Sequence, residues 1–186
     1  MSRRVVVSAV AVVLVVGVGV GLALFQPWRL ITTRTADEAL LVPPSTSAPA
    51  AGAPTTTGPT ASATSSTPEP PKQPVALASG PFRSLEHATT GSATLVRRAD
   101  GGHVVQFEAL DTSDGPDLYV YLSDKPSDSA EKAFGSGFTS LGKLKANQGN
   151  QVYEIPAATD LDGVRSVVIW CQRFSAGFAV APLEQA

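Results

Sequence analysis

The chain has 186 residues, 14 basic and 16 acidic, for a formal charge of −2, with a single cysteine, a single methionine and two histidines. That inventory excludes a basic nucleic-acid surface, an internal disulfide framework and a C-x-x-C-H haem attachment run.

Residues 1–30 read as a transmembrane signal anchor. From Val5 to Phe25 no residue is charged, and a helix of 21 residues at ~1.5 Å each spans the ~30 Å hydrocarbon core. A cleavable secretory peptide has a shorter apolar region followed by small residues. Here the run ends in Phe25, Gln26, Pro27 and Trp28; proline stops the helix and tryptophan suits the headgroup level. No cysteine is near enough for a lipoprotein anchor. Arg3 and Arg4 face Arg29 and Arg34, so charge alone orients the helix weakly. A four-residue head and a long tail favour a C-terminal domain outside the cytoplasm, because long domains translocate largely regardless of charge.

Residues 31–75 read as a disordered linker, most biased from Leu41 to Pro74, where Pro, Thr, Ser and Ala dominate. Such a composition has little to bury and does not offset the entropy of ordering, so it predicts a stalk that holds a domain away from a surface. Its Ser, Thr and Pro content also suits O-glycosylation.

Residues 76–186 are of single-domain size and read as all-β, because short apolar or alternating runs follow one another between turn signals. The predicted strands are 92–98, 103–110, 117–123, 139–146, 151–155, 164–173 and 177–182, with a further one near Phe82. "RADGGH" and "ANQGNQ" are the predicted hairpin turns. Asp128 to Phe134 is the one helical stretch. Seven or eight strands with one short helix predict a β-sandwich or a partly closed β-barrel. From Lys72 onward 10 basic residues stand against 13 acidic, so no nucleic-acid partner is expected.

The chemistry converges on "SVVIWCQRF", Ser166 to Phe174. Alternation along a strand puts Val168, Trp170 and Phe174 on one face and Val167, Ile169, Cys171 and Arg173 on the other. The Trp face, with two large aromatics, is the expected main core. The Cys face, apolar in its middle and rimmed by Arg165 and Arg173, is a setting that favours a reactive thiolate. Against this stands the ordinary behaviour of a free cysteine, a small buried hydrophobe.

No metal site is expected. A blue-copper set needs a methionine and a histidine close after the cysteine; the only methionine is Met1 and no histidine follows Cys171. His103 sits beside a turn, and His87 reads first as a structural residue, though it is the one candidate cofactor ligand. "DTSDGPDLYVYLSD", Asp111 to Asp124, does not have the EF-hand spacing and reads as a turn over Ser113 to Asp117 followed by an alternating strand. Neither histidine has a nucleophile motif around it, so no enzyme class follows.

"FRSLEHATTGSATLV" (82–96), "GPDLYVYLS" (115–123), "LGKLKANQGNQVYEIP" (141–156) and "SVVIWCQRFSAGFAVAPL" (166–183) resemble, in order, the blocks of the DM thirteen domain family. The resemblance implies an extracytoplasmic all-β domain with a proposed role in electron transfer. It also implies a family cysteine, at Cys171 here, that acts as a bare thiol or through a prosthetic group such as non-covalent haem. The redox partner domains of that proposal, DOMON or cytochrome b-type modules, do not occur in this chain. The expected function is therefore a membrane-anchored, extracytoplasmic redox module centred on Cys171, with Trp170, Arg165 and Arg173 in support and an envelope redox or surface protein as partner. The alternative is a non-catalytic module that binds a protein or small ligand, in which Cys171 is structural.

Overall fold

The computed structural model describes residues 3–25, 32–43 and 73–185. Helix α1 spans Arg3–Phe25. Its valines and leucines are exposed on every side, from Val12 and Val13 to Leu22 and Leu24. Among the described residues no helix is long and apolar enough to cross a membrane; the unbroken run of α1 with described side chains is Ala11 to Leu24, short of the ~20 residues a crossing takes. Gln26, Pro27 and Trp28, and the biased segment 44–72, lie outside the described residues.

Among the described residues eleven strands follow: β1 Thr35–Asp37, β2 Val75–Pro81, β3 Arg83–Ser84, β4 Thr90–Arg97, β5 His103–Asp111, β6 Leu118–Ser123, β7 Phe138–Lys143, β8 Gln148–Ile155, β9 Ser166–Cys171, β10 Ala176–Pro182 and β11 Glu184–Gln185. They form two sheets, ordered β1-β8-β5-β4-β2-β11 and β3-β10-β9-β6-β7. The fold is thus an open sandwich, and the barrel alternative is set aside. Each of the seven predicted strands overlaps an observed one. Of the others, β1, β3 and β11 are edge strands of two or three residues, too brief to leave a pattern in the sequence, whereas β2 is a seven-residue strand between β4 and β11 that ends at Pro81, beside the strand predicted near Phe82.

The core lies between the sheets. Leu95, Val105, Phe107 and Tyr153 meet Leu118, Val120, Leu122, Val167, Ile169 and Cys171, as the alternation of β5, β6 and β9 requires. Phe107 is central: Phe82 meets it edge-on at 5.0 Å and Tyr153 lies 5.2 Å away. The main core is therefore on the Cys face of β9, which corrects the expectation for the Trp face. Trp170 and Val168 point outward into a smaller cluster with Tyr121, Phe134 and Val180. Phe134 supplies that cover from a 3-10 helix at Glu131–Gly135, shorter than the predicted helix because it serves as a lid on one aromatic.

"RADGGH" is a hairpin turn as predicted: the Arg98 amide donates to the Gly102 carbonyl at 2.8 Å, with Gly101 at φ +88°. "ANQGNQ" is not a hairpin. It carries the chain from β7 in one sheet to β8 in the other, and its Asn147 and Gln151 are buried.

The first part of the predicted linker is ordered. Strand β1 pairs in parallel with β8, Thr35 opposite Gln148 and Asp37 opposite Asn150, so residues 32–43 belong to the folded domain. Half of "TTRTADEALLVP" is Pro, Thr or Ala, a weaker bias than in residues 44–72, and exposure alternates along it from Arg34 to Leu40.

Candidate functional site

Cys171 ends β9, opposite Leu118 of β6 and Ala176 of β10. It is free and 0% exposed. Burial follows from its position, on the inward face of the sheet's middle strand with hydrogen-bonded neighbours on both sides. The arginines expected to frame it do not do so. Strand β9 stops at Cys171 and the chain turns through Gln172 to Ser175, whose φ of +50° closes the turn. Arg173 is thereby off the strand and exposed, and its guanidinium donates to the Leu24 carbonyl of α1. Arg165 is exposed at the far end of β9, its amide donating to Ser123 at 2.9 Å.

Trp170, next to the thiol in sequence, faces the other way, among aromatic side chains. Tyr121, Phe138, Trp170, Lys132 and Gln172 line a shallow cavity of about 560 Å³ there. The Phe138 ring stacks on Tyr121 at 3.8 Å, and the Gln172 amide donates to the Tyr121 hydroxyl at 2.8 Å. Burial pushes the Tyr121 hydroxyl above its ordinary pKa, with the Gln172 hydrogen bond acting against it. This face can take a flat apolar group; the thiol behind it is sealed off by the sheet.

His87 stacks on Phe178 at 3.8 Å between centroids, a packing role. Neither His87 nor Cys171 lines any of the domain's main cavities, and the core around Cys171 is filled by side chains. These residues do not fit an axial haem pair, which needs open volume at the ligating atom. Among the described residues no three metal-ligating side chains come together.

The most polar buried cluster is one that sequence reasoning did not find. Asp114, its side chain 1% exposed, accepts from the Arg34 guanidinium at 2.8 Å, from the Thr32 hydroxyl at 3.1 Å and from the Gly115 amide at 2.9 Å. Asn147 accepts the Arg34 amide at 2.7 Å and donates to the Thr112 carbonyl at 2.9 Å. Gln106, buried on the outer face of the six-stranded sheet, accepts from the Leu41 amide at 3.0 Å and donates to the Val42 carbonyl at 3.0 Å. Glu38 pairs with Lys145 at 2.7 Å and accepts the Val152 amide at 2.7 Å. The Lys145 hydrogen bond comes first among the causes that hold the Glu38 carboxyl below its ordinary pKa. The one advance signal was the buried polar density of "DTSDG" and "ANQGNQ", which read as turn chemistry because their partners lie far away in the chain.

The family model described as "Electron transfer DM13" matches residues 81–183. The chain belongs to the DM thirteen family. The match covers the sandwich from the end of β2 through β10 and leaves out α1, β1 and the segment between β1 and β2. Searches among curated proteins and among solved structures find no match. The resemblance carried by the sequence blocks thus holds, and DM thirteen membership brings an electron-transfer description to a domain whose one thiol is enclosed.

Proposed function

We propose that this chain is a membrane-anchored, extracytoplasmic DM thirteen domain that serves electron transfer as a binding module, docking a redox-active partner, with Cys171 as a packing residue. The observation that carries the reading is the complete burial of Cys171 in an apolar core. A thiol reacts as thiolate and needs access for its oxidant, and this position offers neither a neighbouring base nor a path. The shallow cavity at Trp170, Tyr121 and Phe138, with Lys132 and Gln172 on its rim, joins an aromatic floor to polar groups, as a docking surface does. Anchoring is supported by α1, whose apolar side chains point outward all round, an arrangement that suits lipid and not water.

A second reading is favoured by the family's description: Cys171 as the redox group itself. Alkylation separates the two. In the native protein Cys171 is expected to resist iodoacetamide at neutral pH and to react only after denaturation. Rapid native labelling, or a redox potential that disappears in Cys171→Ala, would replace the binding reading with the thiol reading.

A further inference from the structure

We infer that residues 32–43 form a strap that holds the sandwich against the membrane carrying α1, so that residues 44–72 leave from and return to the same domain instead of separating it from the bilayer. The inference rests on the anchoring proposed above and adds where the domain stands.

The receptor for the strap is built into the domain. Along the β8 edge the Arg34 carbonyl accepts the Gln148 amide and the Glu38 amide donates to Asn150, both at 3.0 Å. Gly149, at φ +96°, brings the backbones so close that a Cβ there would lie 1.9 Å from the Ala36 carbonyl oxygen. A side chain at 149 and a docked strap are mutually exclusive. At one end of the strap Asp114 and Asn147 hold Arg34; at the other, Gln106 holds Leu41 and Val42. Without the strap, Asp114 and Gln106 would keep polar atoms facing an empty groove. Alternation also directs Val96 and Val104 away from the core, yet both are fully buried, on the face that the strap crosses at Gln106.

Length then decides position. From Phe25, the end of α1, to Thr32 the chain takes seven residue steps, at most about 25 Å when extended. The sandwich cannot stand farther off than that while the strap is docked. A contact between the domain and the helix end accompanies it. Arg173 meets the Leu24 carbonyl, a cation at the negative end of a helix. Beside it Phe174 is 53% exposed, and Phe138 on the neighbouring aromatic face is 38% exposed. A basic residue at the end of an apolar helix suits the anionic headgroup region, and exposed phenylalanines beside it can bury against the acyl boundary. The partner this arrangement fits lies at the bilayer surface.

The test inserts a recognition sequence for a site-specific protease between residues 44 and 72 of the full chain in native membranes. After the cut, a stalk releases the domain to the supernatant, whereas a docked strap keeps it in the pellet. The wild-type domain is expected to stay with the membrane, and Arg34→Ala/Glu38→Ala, altered only on the strap, is expected to lower the retained fraction about tenfold or more. Circular dichroism of the released variant checks that the sandwich is intact. Release of the wild-type domain on cleavage overturns the inference, and so does retention of the double variant, because something other than the strap would then hold it. If the uncut chain is itself in the supernatant, the anchoring has failed and the placement of the domain fails with it. In that case co-elution of the cut halves on gel filtration still tells whether the strap docks.

Discussion

Exchanging Cys171 tests whether the residue is packing or chemistry, because the two roles order the substitutions differently. Cys171→Ala removes one buried atom from the centre of a filled core and costs about 1 kcal/mol. Cys171→Ser keeps the size but puts a hydroxyl between the sheets, opposite Leu118 and Ala176, where an unpartnered hydroxyl costs about 1–3 kcal/mol. Serine is therefore expected to be the worse substitution. At about 3–5 °C per kcal/mol for a domain of this size, its Tm falls by roughly 3–15 °C. Urea unfolding of a fragment that begins at Thr32, followed by tryptophan fluorescence, measures both variants. If opening costs at least ~5 kcal/mol, thiol labelling of the wild type in native buffer is slower than that of the unfolded chain by roughly 10³ or more. A serine variant as stable as the wild type, or labelling at the unfolded rate, would refute the packing argument.

A fragment beginning at Thr32 should be more stable than one beginning at Gln73 by about 2–4 kcal/mol, since the shorter one strips Arg34 from the buried Asp114 carboxylate; the difference in urea midpoints checks this. Gly149→Ala should destabilise the longer fragment by at least ~1 kcal/mol through its left-handed φ, and hydrogen exchange should show residues 32–43 losing protection while β4 and β5 keep theirs. The Glu38 carboxyl has a folded pKa below its unfolded value; the stability it contributes is fully present above the unfolded value and is lost as pH falls through the folded one. Protection of the strap amides should therefore decline on acidification below about pH 4.5, and in Glu38→Gln this component of the pH dependence should vanish. Tyr153 donates to the Gln151 side-chain Oε1 at 2.6 Å and accepts the Lys145 amide at 3.0 Å, so Tyr153→Phe should cost about 1–3 kcal/mol in the same unfolding assay.

Period-two alternation made β4, β5, β6 and β9 legible, because each puts one face into the core: Leu118, Val120 and Leu122 inward, Tyr119 and Tyr121 outward. It could not say which face of a fully buried strand is the larger core. In β9 every residue is buried, and Trp170 drew the weight of the prediction although its cover is a single short helix and Leu85. The association of Arg173 with Cys171 failed for a similar reason: spacing assumes that the strand continues, and a turn closed by Ser175 ended it two residues early. The strap was illegible because its partners are all distant in sequence. Asp114 and Asn147 look like any turn residues until Arg34 arrives from the other end of the chain.

Arg34 and Asn147 stand 113 residues apart, and this separation gives the domain an order of assembly. The strap leaves the ribosome among the first segments and finds its place among the last, since its receptor on β8 is made only after most of the sandwich. Until then β8 offers an open edge and a buried carboxylate without a cation, both invitations to the strap of a neighbouring chain. A crowded membrane that fills with these chains faster than they close would collect exchanged dimers, each strap seated in the other copy.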